Sequence, residues 1–227
     1  LQAVKACGVT FARSMIERVI EERAAGDASR ADAIRARVAG AILDAVAPLV
    51  VPGATTGELD AFITAEVERH GVTSATVGYK GYQHASCISV NHVVCHGIPG
   101  PKVLMDGDIL NIDVTVIVDG WFGDSSRMYV AGTAKPFAQR LINVTHEALM
   151  RGIAAVKPGN TFGDIGHAIQ AYVEAQRLSV VRDFCGHGLG RVFHAPPNVL
   201  HYAVGEAYAP QTPLAAMRWA RALWRAG

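Results

Sequence analysis

The chain has 227 residues, of which 50% are hydrophobic and 18% charged, and its formal net charge is +1. Those proportions fit a compact globular protein and exclude a disordered one. The near-even charge argues against a nucleic-acid platform, DNA included, and no apolar run approaches the ~18 residues of a transmembrane helix.

Residues 1–29 read as an amphipathic N-terminal extension without the layout of a secretory signal. It ends in "AAGDAS". Ser29 can cap a helix over about 30–48, with Ile34, Val38, Ile42 and Val46 as its apolar stripe. "VPG" stops it. Thr55 and Glu58 form a capping-box pattern, so a second helix runs to about His70. A Gly/Tyr loop, "VGYKGYQHAS", leads to short strands expected around "CISV" and "HVVCHGIP". The four cysteines (Cys7, Cys87, Cys95 and Cys185) lack zinc-site spacing and are sparse for a disulfide scaffold. A cytoplasmic home is expected.

"NIDVTVIVDGWFGDSSRMYV" (111–130) follows. Val, Ile and Thr favour strands, and the segment alternates. Ile112, Val114, Val116 and Val118 share one face; Asp113, Thr115 and Ile117 share the other. Asp119-Gly120 is a two-residue hairpin signal. With those two as the turn, Val118 faces Trp121 and Thr115 faces Asp124. Asp113 and Asp124 then lie on the same side as diagonal neighbours, roughly 7–8 Å apart at the backbone. An unpaired buried carboxylate is costly, so a cation is the expected company. Two such carboxylates can grip one ion, or bridge two ions about 3.5–4 Å apart.

"VPGATTGELDAFITAEVE" (51–68) resembles "KPGNTFGDIGHAIQAYVE" (157–174) at an offset of 106, with eight identical pairs. The repeat predicts an α+β fold with pseudo-twofold symmetry, each half being helix, helix and strands, with a site between the halves. After an expected strand "LSVVRDF" comes "FCGHGLGRVFHAPP", which holds His187 and His194. Gly186, Gly188 and Gly190 suggest close backbone approach. His96 lies at an expected strand end. Imidazoles are common metal ligands and proton shuttles near neutral pH. The glycine run fails the dinucleotide fingerprint at its last glycine. G-x-S-x-G and P-loop motifs are absent.

The segments "GYKGYQHASCISVNHVVCHGIPG", "DGDILNIDVTVIVDGWFGDSSRMYVAG" and "VVRDFCGHGLGRVFHAPPNVLHY" resemble type I methionine aminopeptidases over about residues 30–202. The resemblance implies the pita-bread fold, with a catalytic domain over 30–202 and a divergent tail over 203–227. It implies removal of the initiator methionine from nascent peptides, with the N-terminal Met as substrate, by a monomer, with the ribosome as a further partner. It implies divalent metals: two of Co, Mn, Fe or Zn. By position, Asp113, Asp124 and His187 would be metal ligands. His194 would contact the scissile carbonyl or oxyanion, and His96 would assist proton transfer. Tyr79, Tyr82, Cys87 and Phe193 would line the methionine pocket. Asn91 and Val93 match positions near a monovalent cation.

Two further family ligands, both glutamates, have no counterpart in these 227 residues. Beyond His187 the only acidic residue is Glu206. The repeat agrees: adding 106 to Asp113 gives Trp219, and adding it to Asp124 passes Gly227. The expectation is an incomplete second half, at most one well-held metal, weak activity and poor solubility. The tail, rich in arginine, reads as an unrelated ending. The alternative is a non-catalytic pita-bread protein that binds a peptide or partner. A proline-directed peptidase of the same fold is disfavoured by "GYKGY" and "CHGIP".

Overall fold

The computed structural model describes residues 28–157 and 159–203, with side chains from Arg37 onward. The expected extension before Ala28, the tail and the Ile34 side chain lie outside the described residues. The chain divides into two compact units, one spanning Ile34–Ile142 and the other taking the chain up to Ala33 and from Asn143, so the first turn of the opening helix falls in the second.

In the first unit, helix α1 (Ala28–Val46) runs into a 3-10 turn (Ala47–Leu49) and helix α2 (Thr56–Arg69) follows. Ile42 and Val46 are fully buried, as the apolar stripe requires. Thr55 caps α2: Glu58 N donates to Thr55 Oγ1 at 3.1 Å and Glu58 Oε2 accepts from Thr55 N at 2.7 Å. The strands are β1 (Thr73–Ser74), β2 (Ser86–Val90), β3 (Ile109–Val118) and β4 (Trp121–Val130). They form one antiparallel sheet. β3 is central, with β4 along one edge and β1 and β2 along the other.

The β3–β4 register is the one expected: Val118 pairs with Trp121 and Thr115 with Asp124. Asp119 and Gly120 both take positive φ (51° and 77°), as a primed hairpin turn demands. Leu110, Ile112, Val114 and Val116 are fully buried and join Ile42, Val46, Leu59 and Ile63 in one core cluster. Each such side chain contributes roughly 1.5–3 kcal/mol of apolar burial. The middle of the other face carries the polar residues Asn111, Asp113, Thr115, Asp124 and Ser126.

The expected strand in "HVVCHGIP" does not form. Residues 91–100 turn back on β2 through one bond at its centre, Ile88 N to Gly97 O at 2.8 Å, without a ladder. A β-carbon at Gly97 would sit 2.1 Å from Ile88 O. The approach is that tight, so a side chain has no room there.

The second unit holds helix α4 (Phe162–Ala175) and strands β5 (Gly186–Gly188) and β6 (Ala195–Val199), which pair antiparallel with an irregularity between His187 and Gly188. Helix α3 (Pro136–Ala154) leads into it from the first. α4 repeats α2 in detail. Both have 14 residues, and the buried positions Thr56, Leu59, Asp60, Ile63 and Val67 recur 106 later as Phe162, Ile165, Gly166, Ile169 and Val173. Asp164 accepts from Thr161 N at 2.6 Å, as Glu58 does from Thr55. The expected strand in "LSVVRDF" is likewise absent as a ladder. β-branched composition favours a pleated strand only where a partner strand lies alongside.

Candidate metal and peptide site

The polar face of the first unit's sheet is built by strand alternation. Cys87 pairs with Asp113, which pairs in turn with Ser126, making a row across three strands. Asp124 sits opposite Thr115, one step along the same face. Asn111, Thr115, Asp124 and Ser126 are all buried. Thr115 Oγ1 donates to Asp124 Oδ1 at 3.1 Å, and Asn111 Nδ2 donates to Ser126 Oγ at 3.3 Å.

Asp124 Oδ2 and Asp113 Oδ1 are buried oxygens that take no protein hydrogen bond, although both side chains have further contacts. Carboxylate oxygens shielded from water in this way suit a cation, which supports the two aspartates as metal ligands. Within neither unit do three or more His, Cys, Asp or Glu side chains gather at metal-binding distance among the described residues. The first unit therefore offers a carboxylate pair rather than a complete cage.

Beside the pair, Tyr82 and Cys87 meet. The Tyr82 hydroxyl donates to Ser86 O at 2.8 Å and touches the Cys87 thiol. Burial raises the Tyr82 phenol well above its usual range, and the Cys87 contact adds to it. Burial, then the Asp113 charge, pushes the Cys87 thiol up to about 12. Both stay neutral near pH 7 and present an apolar, uncharged wall. Tyr79 is solvent-facing at 36% exposure. His96 is exposed and holds φ 51°, an uncommon value for a non-glycine residue.

In the second unit His187 and Phe193 are buried and His194 is exposed. Their rings pack together at tilted angles: His187 to His194 at 4.4 Å and Phe193 to His194 at 4.3 Å between centroids. His187 Nδ1 lies 2.7 Å from Gly188 O. A carbonyl only accepts, so Nδ1 carries the proton, and in the neutral ring this leaves the lone pair on Nε2, the form a metal ligand needs. Glycine is required at 188, where a β-carbon would come within 2.5 Å of Pro196 O.

Sequence reasoning missed Asp60. It lies in the apolar stripe of α2, and an acidic residue at a core position of an amphipathic helix is the signal that marks it. It also missed the Asn91–Asp108 link, where Asn91 Nδ2 donates to Asp108 Oδ1 at 2.6 Å.

The profile described as "Metallopeptidase family M24" matches residues 33–216, and the chain belongs to that family. It is similar to methionine aminopeptidases. It is 50% identical to that of Rickettsia prowazekii over 175 residues, 75% of this chain and 68% of the relative. It is 52% identical to methionine aminopeptidase A of Synechocystis over 167 residues (73% and 66%). The Escherichia coli enzyme is 50% identical over 172 residues (74% and 65%). The chain thus spans about two thirds of the length of these curated relatives.

The crystal structure of the Rickettsia prowazekii enzyme superposes with a TM-score of 0.73 at 42% identity, covering 87% of this chain and 74% of that one. The Pyrococcus furiosus prolidase, at 19% identity and a TM-score of 0.62 over 84% and 55% of the two chains, shares the fold alone. The fold is pita-bread, as the resemblance implied. No described helix is long and apolar enough to cross a membrane.

Proposed function

We propose that this chain carries the chemistry of a metal-dependent aminopeptidase that removes the N-terminal methionine from nascent proteins. The observation that carries the reading is the β3–β4 register, which sets Asp113 and Asp124 on one shielded face in a chain of a metallopeptidase family. Asp113, Asp124 and His187 would hold a divalent ion: Co, Mn, Fe or Zn. Such an ion supplies Lewis acidity, acidifying water and polarising a peptide carbonyl.

The rest falls to the protein's own groups. His187 is held in the tautomer that offers Nε2. His194 donates toward the oxygen that becomes anionic when the first peptide carbonyl is attacked. His96 moves a proton to the departing amine side. Tyr82, Cys87, Phe193 and Tyr79 would receive the methionine side chain; the neutrality of the first two suits a thioether. The cytoplasm is the proposed location, and the N-terminus of a peptide leaving the ribosome is the proposed partner.

The test is methionine release from a Met-Ala-Ser peptide after reconstitution with manganese or cobalt. Turnover that disappears in Asp113→Asn supports the reading, because the amide keeps the size and removes the charge. Equal turnover in both proteins contradicts it. The second reading, a peptide-binding protein without catalysis, is favoured by the lack of any group of three or more metal-ligating side chains among the described residues. Peptide binding without turnover would select it.

A further inference from the structure

Asp60 is 7% exposed and sits inside α2, yet its carboxylate reaches segments 24 and 26 residues away. Oδ1 accepts from Ser86 N at 2.9 Å and from Ser86 Oγ at 2.7 Å. Oδ2 takes His84 Nδ1 at 2.9 Å. This is an Asp, a His and a Ser in mutual contact, but not a nucleophilic triad. The serine hydroxyl is bonded to the carboxylate, so the histidine has no grip on it.

The network leads to Tyr82 by two routes. The Ser86 peptide is pinned at its nitrogen by Asp60 and accepts the Tyr82 hydroxyl at its oxygen. The His84 ring meets the Tyr82 ring edge-on at 5.5 Å. The His84 carbonyl is held in turn by Thr76 Oγ1 at 2.7 Å. Ser86 is followed directly by Cys87, the other wall residue. The repeat carries no such carboxylate in the second unit. At Gly166, the equivalent position of α4, the backbone packs directly, with Tyr202 O only 2.4 Å from where a β-carbon would stand.

We propose that Asp60 is a positioning residue for the methionine pocket: through Ser86 and His84 it locks the turn that presents Tyr82 and Cys87. The proposal rests on the pocket reading given above. An aspartate serves because it offers two accepting oxygens to three donors. An asparagine has one, and turns an amide N–H toward His84.

The experiment has two arms on Asp60→Asn and, as a variant that leaves the helix untouched, Ser86→Ala. In the first, iodoacetamide labelling of Cys87 is followed by peptide mass spectrometry, with Cys185 of the other unit as internal reference. Loosening the turn is expected to raise the Cys87 rate about tenfold with Cys185 unchanged, since a buried thiol reacts only when it opens. In the second, hydrolysis of Met-Ala-Ser is expected to show KM raised about tenfold with kcat within about twofold, the signature of lost uniform binding.

Unchanged Cys87 labelling in both folded variants would overturn the proposal. So would equal acceleration at Cys185, which would make Asp60 a general stability element. If the unsubstituted protein shows no turnover, the peptidase reading fails, and the labelling arm still decides whether Asp60 locks the turn.

Discussion

At the scale of single residues, two positions carry their environment in their chemistry. His201 is almost wholly buried, and that burial lowers its imidazole to about 4, opposed in part by the nearby Phe184 backbone. The folded value lies below the unfolded one, near 6.5. The stability contribution is therefore complete above about pH 6.5, where both states are neutral. It is lost as pH falls through the folded value, because the unfolded chain takes up the proton first. Urea denaturation at a pH series from 7 to 4 should show a decline that His201→Gln flattens. The full effect is up to ~3 kcal/mol. Gly188 is the other. The added methyl of Gly188→Ala would press on the Pro196 carbonyl, so β5 and β6 must part. Overpacking of this kind costs about 1–3 kcal/mol, readable as a lowered Tm.

At the scale of elements, the hairpin and both capped helices were legible in the sequence because each is written locally. Strand alternation, Asp119-Gly120 and the Thr-x-x-acid pattern all act over a few residues. Residues 91–100 and 178–184 were not legible, because strand propensity is fulfilled only by a neighbour that the local sequence does not name. Asp60 was missed for a related reason: its donors lie 24 and 26 residues on. The repeated caps lend themselves to a paired measurement. Thr55→Ala should cost ~1 kcal/mol through the lost cap. Thr161→Ala should cost less in the second unit, where the hydroxyl donates to Asp164 but takes no cap bond from the helix backbone, and chemical denaturation of each variant checks this.

At the scale of the whole molecule, the family and fold were legible while the completeness of the metal centre was not. The residues that would fill it come from distant parts of the chain, and local pattern does not say which of them meet. A polypeptide of this sequence is expected to retain at most one equivalent of manganese or cobalt after desalting, by plasma mass spectrometry. Asp113→Asn should retain less. Two tightly held ions would mean that Glu206 or another group completes the set.

The Nδ1–Gly188 carbonyl bond has a consequence for heredity. Where a ligand histidine leans on a carboxylate side chain, one point mutation can release it. Here the support is main chain, and every amino acid brings the same carbonyl. The orientation of His187 is stored in the path of this irregular strand, so substitutions erode it only by bending that path. Gly188, which has no space for even a methyl, is the residue through which such drift would first be felt.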